Sequence, residues 1–188
     1  MKKYLLIATL IILFSLSSKL SAQMGVSIQA GAAVPTGSLS DVAKLGWGGQ
    51  ANLEYPVIPS LNLSASVGYY LWGAKGDLAE GFDYTLSTIP VLVGAKYLLL
   101  EGDFHPYLGA DMGVHFMNTK QTIINLGGTK LDTDNSETNF GFAPMAGVRL
   151  HMPPNVDLDL NLTYNIITTS GSSTSFIGII AGALILLQ

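Results

Sequence analysis

The sequence predicts an all-β fold: an eight-stranded antiparallel transmembrane β-barrel with up-and-down topology. Three observations predict it: alternating apolar and polar segments recur, the connections between them alternate in length, and hydropathy is high without a long apolar run. The mean hydropathy is +0.40 and charged residues make up 12% of the chain, about half the usual share. Beyond the N-terminal segment no apolar run reaches the roughly 20 residues that a spanning helix needs. This combination is typical of strands that cross a lipid bilayer.

Residues 1–22 have the layout of a secretory signal peptide. A basic n-region with Lys2 and Lys3 precedes an apolar run from Tyr4 to Leu16. A segment with small residues follows and ends at Ala22, where cleavage is expected. This order of basic, apolar and small residues marks a cleavable export signal. We therefore expect cleavage after Ala22 and a single β-barrel domain over residues 23–188.

The charge of the exported chain excludes one class of partner. Cleavage removes Lys2, Lys3 and Lys19 from nine cations, which leaves six against 13 acids and a formal charge of −7. Proteins that bind nucleic acid present a basic face, so we expect no nucleic-acid partner. The chain has no cysteine, so disulfides do not brace it.

The clearest strand runs from Val156 to Ile166. Large apolar residues occupy one parity and small polar or acidic residues the other. A period of two places the two sets on opposite faces of a strand. Its length suits the 9–11 tilted residues with which a strand crosses a bilayer.

Seven further segments alternate in the same way and complete the barrel. They are Gly25–Val34, Gly46–Tyr55, Leu61–Trp72, Tyr84–Leu99, Pro106–Met117, Thr138–His151 and Ser175–Leu187. The last of these is apolar throughout, but about 12 residues of helix would span only ~18 Å of a ~30 Å core. It is therefore read as a strand, with Gly178 and Gly182 facing inward.

The connections alternate between long and short. Four are long: Pro35–Leu45, Gly73–Asp83, Asn118–Glu137 and Ile167–Thr174. Three are short: Pro56–Ser60, Leu100–His105 and Met152–Asn155. Outer-membrane barrels have short periplasmic turns and longer external loops, which predicts both termini in the periplasm. Gly127-Gly128 suits a tight hairpin turn that carries strands five and six beyond the membrane.

Charged strand residues share the polar parity, and this predicts a charged interior. They are Glu54, Lys96, Asp111, Arg149, Asp157 and Asp159. Glycine clusters on the same parity, which suits the narrow lumen of an eight-stranded barrel, whereas a soluble lipocalin-type barrel would invert the two faces. The hairpins place Lys96 opposite or diagonal to Asp111, and Arg149 near Asp157 or Asp159. Such ion pairs satisfy a polar interior, or they form a gate or a cation site.

Catalytic and metal-binding motifs are weak. Lipid-trimming barrel enzymes need a histidine paired with a hydroxyl group, and His105, His115 and His151 lie in unrelated places along the chain. The segment Asp132–Glu137 lacks the glycine of an EF-hand loop and is read as a solvated acidic loop. The sequence therefore predicts no enzyme, no metal site and no cofactor.

Three segments resemble the small outer-membrane β-barrel domain family, the eight-stranded group typified by the OmpA transmembrane domain and OmpX. They are Ser87–Tyr97, Pro106–Val114 and Phe140–Leu150. The resemblance covers the mature chain and implies outer-membrane lipid as surroundings and barrel-assembly machinery as the insertion partner. Members usually end in an aromatic residue that this machinery reads, whereas this sequence ends in Gln188.

The functional expectation is an outer-membrane protein of a Gram-negative envelope. In the leading interpretation it is non-enzymatic and supports envelope integrity or surface interaction through its extracellular loops. The alternative is a narrow pore or gated channel, and a third is a soluble lipocalin-like ligand-binding barrel.

Overall fold

The computed structural model describes residues 24–75, 82–100, 102–124, 130–169 and 172–187. These residues form eight antiparallel strands that close into a barrel in sequence order, with the first strand paired to the last. The strands are β1 (Met24–Thr36), β2 (Gly46–Ile58), β3 (Leu61–Gly73), β4 (Phe82–Leu98), β5 (Phe104–Ile124), β6 (Lys130–Met152), β7 (Val156–Thr169) and β8 (Ser172–Leu187). A short helix, α1 (Leu39–Val42), follows β1. The predicted fold class and strand order are confirmed.

The alternation along each strand separates a buried polar lumen from an exposed apolar outer face. In β7, Asp159 and Asn161 are buried, while Leu160 and Leu162 on the other parity are each 52% exposed. Within the barrel wall the other strands also alternate between an inward and an outward face, although the inward face of β8 is apolar, with Phe176, Ile180 and Leu184 buried. The exposed apolar face fits lipid. The inverted arrangement of a soluble lipocalin-type barrel is not found in the described strands.

The strands are strongly staggered. Following hydrogen-bonded partners once around the barrel from Val26 leads back to β1 at Thr36 rather than at Val26. Stagger and strand tilt are linked, and an eight-stranded barrel leaves an interior that side chains fill. The lumen is therefore a packed space whose contents are set by the inward residues.

Two strands continue beyond the barrel wall. β5 and β6 pair as far as Ile124 and Lys130, whereas the pairing of β6 with β7 starts only at Phe140. We call residues 118–124 and 130–138 the ribbon. The predicted extension of strands five and six is confirmed, and its turn at Gly127-Gly128 lies outside the described residues.

Two predicted loops are corrected, and a third is a long connection as predicted but contains a short helix. The connection Ile167–Thr174 is not long, because β7 runs to Thr169 and β8 resumes at Ser172; Ile and Thr favour strands. The loop Pro35–Leu45 contains α1. The acidic segment Asp132–Glu137 lies on β6 rather than in a loop, although residues 133–138 are exposed.

The two ends of the barrel differ. We call the end that carries α1 and the ribbon the helix rim, and the end with the β2–β3, β4–β5 and β6–β7 turns the turn rim. At the helix rim, α1 is attached to the end of β3: the Lys75 backbone N–H donates to Val42 O at 3.0 Å, and Ala43 bridges Ala74. Among the described residues, no helix is long and apolar enough to span a membrane. The predicted signal peptide, residues 1–22, and Gln188 lie outside the described residues.

Candidate functional site

The inward charges predicted from the sequence converge near the turn rim. Five of them, Glu54 of β2, Lys96 of β4, Arg149 of β6, and Asp157 and Asp159 of β7, form what we call the ion cluster. Each is at most 5% exposed. Because β2, β4, β6 and β7 stand around the barrel, the cluster crosses the lumen.

Glu54 is the centre of the ion cluster. Its Oε1 lies 2.7 Å from Lys96 Nζ, and Arg149 Nη2 lies 2.9 Å from both of its carboxylate oxygens. Asn62 Nδ2 adds a donor to Oε2 at 3.2 Å. A buried carboxylate is stable only when it is paired and hydrogen-bonded, and Glu54 meets that condition through three neighbours.

Asp159 holds the other side of Arg149. The two residues are register partners across β6 and β7, and Arg149 Nη2 lies 3.0 Å from Asp159 Oδ2. Tyr107 donates its hydroxyl to Asp159 Oδ1 at 2.7 Å. The Tyr107 ring lies near both cations, with Lys96 Nζ 5.4 Å and Arg149 Cζ 5.6 Å from its centroid, within cation–π range.

Asp157 lies at the edge of the cluster. Its Oδ2 is 4.0 Å from Arg149 Nε, and its Oδ1 is 2.6 Å from His151 Nδ1. A cavity of about 180 Å³ opens beside Asp157 and Arg149 and reaches His105. Among the described residues, no group of three His, Cys, Asp or Glu side chains is arranged to hold a metal ion.

Asp111 stands apart from the other five predicted residues. The register places it opposite Gly94, and therefore diagonal to Lys96. Lys96 nevertheless forms its ion pair with Glu54, while Asp111 Oδ1 accepts a hydrogen bond from Ser64 at 2.8 Å. A flexible lysine reaches across the lumen, so its partner does not follow from the hairpin register alone.

A second layer fills the lumen nearer the helix rim. Tyr70, Trp72 and Phe176, which we call the aromatic plug, are at most 3% exposed. The Phe176 ring centroid lies 4.8 Å from that of Trp72 and 5.1 Å from that of Tyr70. Trp72 Nε1 donates to Ala33 O at 3.0 Å, and Leu39 of α1 belongs to the same apolar cluster. The plug is therefore anchored to the barrel wall and covered by α1.

Small residues make room for these rings. A Cβ on Gly48 would overlap the ring of Tyr70, and a Cβ on Gly147 would overlap the ring of Tyr107. Each glycine lies on a strand next to the aromatic residue, so its missing side chain is the space that the ring occupies. Sequence reasoning missed the plug and Tyr107, although the inward parity of Tyr70, Trp72 and Phe176 could have found them.

Among the described residues, no histidine is hydrogen-bonded to a serine hydroxyl. His115 is fully buried, and neither of its ring nitrogens has a hydrogen-bond partner among the described residues. His105 Nδ1 lies 3.0 Å from Leu100 O. His151 pairs with Asp157, but no serine hydroxyl of the described chain bonds to its ring. Hydrolysis of the Ser–His–Asp type would need such a hydroxyl.

A model of the outer membrane protein beta-barrel domain family matches residues 6–183. Among solved structures, Neisserial surface protein A (NspA) is 24% identical with a TM-score of 0.61, over 89% of this chain and 100% of that chain. A major outer membrane protein from Thermus thermophilus is 15% identical with a TM-score of 0.65, over 88% and 99%. The outer membrane protease OmpT from Escherichia coli is 10% identical with a TM-score of 0.51, over 88% and 94%. These likenesses show the fold. No curated protein matched the chain.

Proposed function

The chain belongs to the outer membrane protein beta-barrel domain family, and from this membership we propose that it is a non-enzymatic, non-conducting protein that acts at the cell surface. The barrel lies in the outer membrane. In this proposal, barrel-assembly machinery inserts it, and the helix rim and the ribbon face outward. The barrel then anchors a surface that contacts an external partner.

The filled lumen is the observation that carries this proposal. The ion cluster crosses the lumen near the turn rim, and the aromatic plug crosses it near the helix rim. An ion cluster alone would fit a gate, because ion pairs can exchange partners. The aromatic plug adds a second barrier made of apolar contacts, which a change of ion-pair partners does not remove. A static anchor therefore fits better than a narrow pore or gated channel.

The histidine geometry supports a non-enzymatic role. The Asp157–His151 pair lies at the turn rim, which faces the periplasm in this proposal. It lacks a serine partner among the described residues, and the likeness to OmpT concerns the fold.

The ribbon is the part of the molecule best placed for an external contact. Residues 133–138 are exposed on both faces, and no described residue of β7 pairs with their edge of β6. Unpaired strand edges present backbone N–H and C=O groups to other chains. An ordered, polar, edge-exposed ribbon on a closed barrel is a binding surface that needs no movement of the barrel.

A complementation experiment separates surface interaction from envelope integrity. Cells lacking the protein are complemented with the full chain or with a variant in which residues 118–136 are replaced by an Asn-Gly turn, which keeps Met117 opposite Glu137. We expect both barrels to fold, and only the full chain to restore adherence to immobilised proteins. Sensitivity to detergent and to large antibiotics is measured in parallel. If the shortened barrel restores every phenotype, the ribbon is dispensable and the surface role is wrong.

A further inference from the structure

A cup of about 340 Å³ opens at the helix rim between α1 and the ribbon. Its floor is apolar and is formed by Leu39, Val42, Leu86 and Met117. Leu39 and Leu86 are part of the buried apolar cluster that closes the lumen, and Met117 packs against it. The cup therefore lies at the outer mouth of the lumen, with the buried apolar cluster beneath it.

The wall of the cup is polar and carries one charge. Thr119, Asn135 and Glu137 line it from the ribbon side, and Glu137 is the charged residue among the described lining residues. Glu137 is the register partner of Met117, so a carboxylate stands directly beside the apolar floor. Asn135 Nδ2 donates to Glu137 Oε1 at 3.1 Å, which orients the carboxylate. No described Lys or Arg forms an ion pair with Glu137.

The other face of the ribbon is electrostatically different. Asp134 lies on the parity opposite to Glu137 and is the register partner of Lys120. An acid and a base directly opposite each other on one face of a sheet offset each other's charge. The field of Glu137 thus acts on the inside of the cup, while Asp134 is balanced by its own neighbour.

These features fit one ligand chemistry. An apolar floor beside a single carboxylate matches a side chain with an aliphatic stem and a cationic end, as in lysine. An anionic ligand would meet Glu137 as a like charge. The unpaired β6 edge beside the cup offers backbone groups to an extended peptide. We propose that the cup binds a lysine side chain of a polypeptide partner at the cell surface; this rests on the proposed surface role.

Met117 is a natural reporter for the test. The protein in zwitterionic lipid nanodiscs is labelled with methyl-13C-methionine, and Met117 on the cup floor is compared with Met112 on the lipid face. The probes are the peptides acetyl-Ser-Thr-X-Thr-Ser-amide, in which X is lysine, Nε-acetyl-lysine or norleucine. We expect the lysine peptide to shift the Met117 methyl signal in a saturable way without moving Met112. The acetyl-lysine and norleucine peptides are expected to bind about fivefold more weakly, the upper range for a partly exposed ion pair.

Two variants that each remove one charge test the role of Glu137. Glu137→Gln keeps the shape of the cup, and we expect the same roughly fivefold loss for the lysine peptide only. Asp134→Asn removes a charge from the same strand on the other face and is expected to leave binding unchanged. Equal loss in both variants would mean a diffuse acidic rim and would overturn the proposal. So would equal binding of all three peptides, or no shift of Met117. Those failures leave the surface role standing, because the complementation experiment measures it without these peptides.

Discussion

Arg149 of β6 and Glu54 of β2 meet in the middle of the lumen, with Arg149 Nη2 2.9 Å from each oxygen of the Glu54 carboxylate. The two strands stand on opposite walls of the closed barrel. The same Arg149 Nη2 lies 3.0 Å from Asp159 Oδ2. The Arg149 guanidinium group therefore links β6 and β7 to β2 on the opposite wall of the barrel. Its removal leaves two buried carboxylates, those of Glu54 and Asp159, with fewer partners.

Replacing Arg149 with alanine is expected to destabilise the barrel by about 3–5 kcal/mol, the usual cost of leaving buried charges unpaired. Arg149→Lys is expected to lose less, because it keeps the charge but not the planar fork. Urea titration in lipid vesicles measures the free energy of unfolding. Lys120→Ala, on the exposed part of the ribbon, is the control and is expected to change it by less than about 0.5 kcal/mol. Equal stability of the Arg149→Ala and Lys120→Ala variants would refute the network.

The ion cluster and the aromatic plug each block the lumen, and together they predict a specific pattern of conductance. We expect no current through the parent protein, through Arg149→Ala, or through the double variant Trp72→Ala/Phe176→Ala. Each variant removes one filling and leaves the other. Only the triple variant is expected to pass ions in a planar bilayer. Current through the parent protein would mean a pore and contradict the proposed function.

Glycine at position 147 is predicted to be required by the ring of Tyr107. A Cβ there overlaps that ring and also lies 2.7 Å from the Leu160 backbone oxygen, so Gly147→Ala forces both Tyr107 and the neighbouring β7 backbone to move, at a cost of about 1–3 kcal/mol for overpacking. Gly178→Ala is the matched control in the same lumen, because its Cβ would meet Asn165 Nδ2 at an ordinary 3.8 Å. Urea titration of both variants checks this. A similar loss in both would show that strand flexibility, rather than the ring, decides the outcome.

The lipid face is tested at Leu162, near the middle of β7 and 52% exposed. Leu162→Arg is expected to destabilise the barrel by about 2–4 kcal/mol, because the charge then faces hydrocarbon. Leu162→Val keeps the apolar surface and is expected to behave like the parent. The measurement is the fraction of folded, heat-modifiable protein on unheated gels after refolding into vesicles. Full assembly of the arginine variant would mean that this face is not in lipid.

Orientation in the membrane is tested by epitope tags. A tag between Gly127 and Gly128 is expected to bind antibody on intact cells, since it follows the ribbon. A tag in the turn Met152–Asn155 is expected to bind only after the outer membrane is permeabilised. The opposite labelling would mean that the barrel is inserted with the turn rim outward, and it would remove the basis for a surface role.

The parity of the strands could be predicted because it depends on one physical rule. A charge facing lipid is costly, so Glu54, Lys96 and Arg149 had to share the inward face, and the structure places them there. The extension of strands five and six also followed from local signals, since Gly-Gly between apolar runs indicates a hairpin.

The contents of the lumen could not be predicted in the same way. Lys96 pairs with Glu54 rather than with Asp111, because strand tilt brings together residues that are far apart in sequence. The helix α1 could not be predicted either, because four residues leave no periodic pattern to read. The sequence underestimates the length of β7, since Thr168 and Thr169 are polar and fit a loop equally well.

The pairing of β1 with β8, from Met24 opposite Leu187 to Thr36 opposite Ser175, means that the barrel wall closes only when the last strand is in place. The first strand of the chain has to wait for the last before its outer edge is covered. In hydrocarbon each uncovered backbone group costs several kcal/mol, so an open sheet that lacks β8 is not stable in lipid. We therefore expect that a chain truncated before Ser172 cannot remain folded in lipid, because both edges of its sheet stay open.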